Sequence, residues 1–165
     1  MIVLVGFMGA GKTTVGRLLA GKLGVPFLDS DEVIEGRAGR PIREIFAGDG
    51  EPAFRALEHQ VITDLLAGPP AVLALGGGAA AHPGTHDLLT SSAVAKVVYL
   101  RVGYDEALVR VGGDTGRPML ARSDITDVYA ARQQTYASVA ALAIDTGGRS
   151  PEDITSDILT RIAGD

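Results

Sequence analysis

Gly6-Phe7-Met8-Gly9-Ala10-Gly11-Lys12-Thr13-Thr14 comes directly after a short apolar run, Ile2 to Val5, and directly before a stretch with helical periodicity. The run has the length of a buried strand, and Gly6 ends it. The pattern G-x-x-x-x-G-K-[ST], set between a strand and a helix, calls for each residue type on physical grounds. Gly6, Gly9 and Gly11 permit backbone angles that turn successive N–H groups inward around an anion. The helix that follows directs its positive end at the same point. Lys12 brings a mobile charge to the outer phosphates, and the Thr13 hydroxyl is placed to ligate Mg²⁺. The loop from Gly9 through Thr14 therefore implies a site for a nucleoside triphosphate.

Working outward, Val15, Leu18, Leu19 and Leu23 give the next stretch an apolar stripe of helical period, stopped by Gly24 and Pro26. Val25 to Leu28 reads as a second strand, ending in Asp29-Ser30-Asp31. Carboxylates at the C-terminal end of such a strand lie where open α/β sheets hold ligands; the alternative is that one of them caps a helix beginning near Glu32. Residues 36–52, rich in Gly, Arg and Pro around Ile42, Ile45 and Phe46, read as an excursion from the sheet with the character of a flap. Phe54, Leu57, Val61, Ile62 and Leu65 mark an amphipathic helix on which Arg55 and Glu58 share a side. From spacing alone, that pair reads as a solvated ion pair.

Ala71 to Leu75 is a third apolar run, closed by Gly76-Gly77-Gly78, where the backbone is expected to approach a ligand closely. The run lacks the acidic residue that would help hold Mg²⁺ at the end of such a strand, and Asp29 is the substitute. A helix over Pro83 to Leu89 carries His86 four residues after His82, without a third partner for a zinc site. Lys96 to Leu100 is the fourth strand and Tyr104 to Val111 a helix. Gly112-Gly113-Asp114-Thr115-Gly116-Arg117-Pro118 suits a lid whose arginine closes on the transferring phosphoryl group. A helix over Asp124 to Ala137 puts Tyr129, Arg132 and Tyr136 on one side. Ala140 to Asp145 is the fifth strand, and Ser150-Pro151-Glu152-Asp153 caps a last helix buried through Ile154, Ile158, Leu159 and Ile162. The alternation predicts an α/β fold, a five-stranded parallel sheet between helices, as one domain over 1–165.

A net charge of −5 argues against nucleic-acid binding through a general basic surface. The absence of cysteine excludes disulfides, thiolate metal sites and cysteine nucleophiles. No apolar run has membrane-spanning length, and Met1 leads straight into a core strand, so the expected location is the cytoplasm.

The motifs together resemble the shikimate kinase family. They are the phosphate loop, Asp29-Ser30-Asp31, Ile45-Phe46 followed by Gly50-Glu51, and Phe54-Arg55-Ala56-Leu57-Glu58. Leu75-Gly76-Gly77-Gly78-Ala79, Arg117-Pro118-Met119-Leu120 and Arg132 with Tyr136 complete the set. The resemblance implies the P-loop, nucleoside-monophosphate-kinase-like fold, ATP as phosphoryl donor, Mg²⁺ as cofactor and the 3-hydroxyl of shikimate as acceptor. It implies a substrate-binding excursion over about 31–60 and a lid over about 112–122. It further implies that Asp31 binds ring hydroxyls, Asp29 helps place Mg²⁺, and Arg55 and Arg132 hold the acceptor carboxylate with the backbone of Gly76, Gly77 and Gly78. Glu58 orients Arg55, Arg117 contacts phosphate, and Arg110 and Arg149 flank the adenine. The expected partners are the two small-molecule substrates, with the protein monomeric and bound to neither membrane nor nucleic acid. Gln134 stands where the family usually has proline, and 121–131 is a few residues short. The alternatives are a gluconate-type sugar-acid kinase and a non-catalytic nucleotide-binding regulator.

Overall fold

The computed structural model describes residues 1–91, 93, 95–112 and 123–164. Apart from Gly112, the lid expected over 112–122, with Arg117, lies outside the described residues.

The strands are β1 (Ile2–Val5), β2 (Phe27–Asp29), β3 (Val72–Ala74), β4 (Lys96–Arg101) and β5 (Leu142–Asp145). They form one parallel sheet in the order β2-β3-β1-β4-β5. The helices are α1 (Lys12–Leu23), α2 (Ser30–Ala38), α3 (Ile42–Asp49), α4 (Glu51–Leu66), α5 (Pro83–Ser91), α6 (Tyr104–Val111), α7 (Ile125–Val139) and α8 (Pro151–Ala163). Val3, Leu4, Leu73 and Val98 are fully buried, so the central strands are apolar on both faces, as a parallel sheet covered by helices requires. Sequence order reverses around β1, which has β3 on one side and β4 on the other. A crevice at the C-terminal ends of the strands is the outcome of such a reversal, and the phosphate loop leaves β1 there.

The flap expected over 36–52 is instead helical. Residues 36–38 finish α2, α3 occupies Ile42–Asp49, and α4 begins at Glu51. Ile42, Ile45 and Phe46 are spaced for one face of a helix, and they turn toward a second small core of Ile34, Ile45, Phe54 and Val61. Gly39 closes α2, and the Glu35 carboxylate accepts from Ile42 N at 2.9 Å, satisfying a free donor at the start of α3. The Arg40–Asp49 ion pair straps the far end of the same segment. The second strand also starts later than expected, at Phe27, and includes Asp29. Helix α7 is tied to the sheet by aromatic residues: Tyr129 donates to Val102 O at 2.7 Å and meets Phe7 edge-on at 5.0 Å.

Candidate active site

Gly9 and Gly11 stand at φ 77° and 91°, backbone angles that side chains other than glycine rarely adopt, and they curl the loop onto the start of α1. A Cβ on Gly9 would lie 2.8 Å from Ala107 O, so the loop also packs tightly against α6. The Lys12 ammonium folds back over the loop, donating to Gly6 O at 2.7 Å and Phe7 O at 3.2 Å. Thr13 and Thr14 are exposed at the mouth. Arg110 braces the loop from outside, donating to Gly9 O at 2.8 Å and to Glu106 at 2.5 Å. Arg149 is anchored on Asp145 O and Asp157, each at 3.1 Å.

A cavity of about 1070 Å³ runs from this loop to α3 and α4. Gly9, Ala10, Gly11, Lys12, Thr13, Thr14, Arg110 and Arg149 line one part of it. Asp29, Asp31, Arg55, Glu58, Gly76, Gly77, Gly78 and Arg132 line the rest. The fold thus gathers into one space every site residue expected from the sequence except Arg117, which lies outside the described residues.

The two carboxylates at the end of β2 divide the work, and the capping alternative holds for one of them. It is Asp29, not Asp31, that caps α2: its Oδ1 accepts from Asp31 N at 2.8 Å and Glu32 N at 3.4 Å. Asp31 is left in the first turn with its side chain in the cavity. Burial, reinforced by the charges of Asp29 and Glu58 and opposed by Lys12, raises its pKa to about 6. Burial likewise raises Glu58, against the pull of Arg55.

Arg55 and Glu58 are not the solvated pair that spacing suggested. Arg55 Nη1 donates to Glu58 Oε1 at 2.8 Å with the Glu58 side chain 2% exposed. The helical face that carries them is covered by the triple-glycine loop, a long-range contact with no local signature in the sequence.

That loop approaches side chains as closely as any ligand would require. A Cβ on Gly76 would fall 2.6 Å from Asp31 Oδ1 and 3.1 Å from Glu58 Oε2. One on Gly77 would fall 3.1 Å from Arg132 Nη1, and one on Gly78 2.7 Å from Arg55 Cζ and Nη1. Each glycine makes room for a different charged side chain. Sequence reasoning passed over two hydroxyls that hold the loop. Buried Ser30, between the two aspartates, accepts from Gly76 N at 3.1 Å, and Tyr136 donates to Gly77 O at 2.5 Å. The position of Ser30 inside the acidic triplet was the available signal. The Gly78 N–H has no acceptor among the described residues.

The donor set suits Mg²⁺ shared with phosphate oxygens and water. Among the described residues no three His, Asp or Glu side chains could hold a metal by themselves, whereas the Thr13 hydroxyl and Asp29 both line the cavity. Among the described residues no helix is long and apolar enough to cross a membrane.

Residues 8–163 match the family model described as shikimate kinase. A shikimate kinase of Thermobifida fusca (strain YX) is 45% identical over 170 residues, spanning 100% of this chain and 97% of the relative. One from Mycobacterium avium (strain 104) is 44% identical over 164 residues, spanning 97% of this chain and 92% of the relative. Among solved structures, shikimate kinase from Acinetobacter baumannii in complex with shikimate aligns with a TM-score of 0.93 at 39% identity, covering 99% of this chain and 92% of that one.

Proposed function

The chain belongs to the shikimate kinase family, and we propose that it transfers the γ-phosphoryl group of ATP to the 3-hydroxyl of shikimate, giving shikimate 3-phosphate and ADP. The observation that carries this reading beyond membership is the seating of Asp31, Arg132 and Arg55 against three successive glycines, in the cavity that also holds the phosphate loop. Such a pocket offers guanidinium groups for a carboxylate and an acceptor for a ring hydroxyl.

In this reading the N–H groups of Gly9 to Thr14 cradle the donor phosphates. Lys12 leaves the carbonyls of Gly6 and Phe7 to meet the charge that develops on the transferring group. Thr13 and Asp29 would hold Mg²⁺ beside the phosphates, and the ion would supply further charge neutralisation. Arg110 and Arg149 flank the base, their guanidinium groups already fixed by carbonyls and carboxylates. Arg55, held by Glu58, and Arg132 fix the acceptor carboxylate and so orient the ring. Asp31 accepts the hydrogen bond of the reacting hydroxyl, and its raised pKa makes it a better proton acceptor than an exposed aspartate. The O–H proton passes to Asp31 as the new P–O bond forms and the bond to ADP breaks. Arg117, carried by the lid over 112–122, closes on the phosphates, while the excursion over 31–60 closes on the acceptor. The enzyme works as a cytoplasmic monomer.

The test is ADP release in parallel with shikimate, gluconate and AMP as acceptors. Turnover is expected with shikimate alone. Preferential turnover of gluconate would install the sugar-acid kinase reading, and none with any acceptor would favour a nucleotide-binding regulator. Neither alternative is favoured by the relatives the chain resembles.

A further inference from the structure

We infer that Tyr136 is a positioning residue for the acceptor site: its hydroxyl locks the Arg132 guanidinium to the Gly77 carbonyl, so that the cation meets the acceptor carboxylate already oriented. The inference rests on the shikimate reading above and goes beyond it in assigning a role to a side chain that does not line the cavity.

Tyr136 lies one helical turn after Arg132 on α7, which places both side chains on one face. It is 1% exposed, and its ring packs at 5.3 Å from that of Tyr99 on β4. A residue needed only to fill this space could be phenylalanine. The hydroxyl instead donates to Gly77 O at 2.5 Å, across 59 positions of sequence. Arg132 reaches the same point. The site of a Cβ on Gly77 is 3.1 Å from Arg132 Nη1 and 3.6 Å from the Tyr136 oxygen. Arg132 also hydrogen-bonds the Tyr136 hydroxyl. The hydroxyl is therefore used twice, as donor to the glycine loop and as acceptor from the guanidinium. Burial raises the phenol pKa, which keeps the proton on oxygen and the donation to Gly77 intact at working pH.

An arginine has several rotatable bonds, and ordering it at the moment of binding lowers affinity. Arg55 avoids this through Glu58. Tyr136 does the equivalent for Arg132 without adding another carboxylate to a pocket that must receive one. A neutral acceptor orients the cation without adding negative charge.

The experiment is shikimate titration and steady-state kinetics on Tyr136→Phe, Arg132→Ala and the double variant. Tyr136→Phe is expected to weaken shikimate binding about tenfold, in keeping with one lost hydrogen bond to a charged group, while the Kd for ATP and kcat at saturating shikimate change less than about twofold. In the Arg132→Ala background the same change should cost under about twofold, because the hydroxyl then has no guanidinium to orient. Gly77→Ala, whose Cβ would press on the guanidinium, serves as the second variant and should raise the shikimate KM in the same pattern. An undiminished tenfold loss in the Arg132→Ala background would overturn the inference, as would equal losses for ATP and shikimate, or no loss in Tyr136→Phe. Failure of the wild-type protein to bind shikimate would instead overturn the functional reading.

Discussion

Arg55 and Glu58 form a buried ion pair on one face of α4, with Nη1 2.8 Å from Oε1 and the Glu58 side chain 2% exposed against 19% for Arg55. Removing the arginine would strand a carboxylate out of water, so Arg55→Ala should destabilise the protein by about 3 kcal/mol near neutral pH. Glu58 has a folded pKa raised by burial even with its partner present. Without Arg55 it rises further, and the proton it then holds relieves the cost in acid. The stability deficit of Arg55→Ala should be largest at pH 8 and shrink as pH falls toward 5, read by thermal unfolding across that range. The same variant should lose roughly 2–5 kcal/mol of shikimate affinity, and Arg55→Lys should recover only part of it.

Asp31 is expected to set the acid limb of activity. Its carboxyl is pushed up to about 6 by burial and by its acidic neighbours, so kcat/KM for shikimate should fall as pH drops through that value and Asp31 takes up its proton. Asp31→Asn should remove the limb and lower kcat on the order of 100-fold. A pH–rate profile of both proteins decides it.

The same shift has an opposite signature in stability. Above pH 6 the folded chain carries a buried charge that the unfolded chain carries in water. Between about 4 and 6 the folded chain holds a proton that the unfolded chain has released. Stability from this group is therefore greatest in acid and declines as pH rises through the window, by at most about 3 kcal/mol. Asp31→Asn should melt higher than wild type at pH 7.5 without ligands, by a few degrees, with the advantage gone by about pH 4. Equal melting temperatures at pH 7.5 would show that the charge is not under strain.

Gly78 has φ −97° and ψ −2°, a conformation open to any residue, so Gly78→Ala tests space and not backbone freedom. Its Cβ would collide with the Arg55 guanidinium. Arg55 must swing away, and the shikimate KM should rise about tenfold or more, while the ATP KM stays within twofold. A crystal structure of the variant would show the displaced arginine.

Lys12→Met should reduce turnover by at least about 100-fold. The interactions lost from Lys12, at the cavity wall, include hydrogen bonds to the carbonyls of Gly6 and Phe7, and the melting temperature should move little. Near-normal kcat in a folded Lys12→Met protein would remove the phosphate loop from the catalytic mechanism.

What the sequence determined by itself was whatever short-range chemistry encodes. The glycines and lysine of the phosphate loop, the apolar runs that became strands, and the stop and cap residues around them are local statements about backbone angle and periodicity. They were enough for an α/β fold with a nucleotide site after β1. The excursion over 36–52 misled because its Gly, Arg and Pro content outweighed the helical spacing of Ile42, Ile45 and Phe46. Only their burial against Ile34, Phe54 and Val61 made α3 worth its ordering cost. The tertiary structure alone decided the burial of Arg55 and Glu58, the raised pKa of Asp31 and the use of the Tyr136 hydroxyl on Gly77. The pairing, burial and electrostatics depend on packing elements from distant parts of the chain, at distances of about 3 Å. The spacing of residues along one helix or strand cannot specify which remote backbone will cover it.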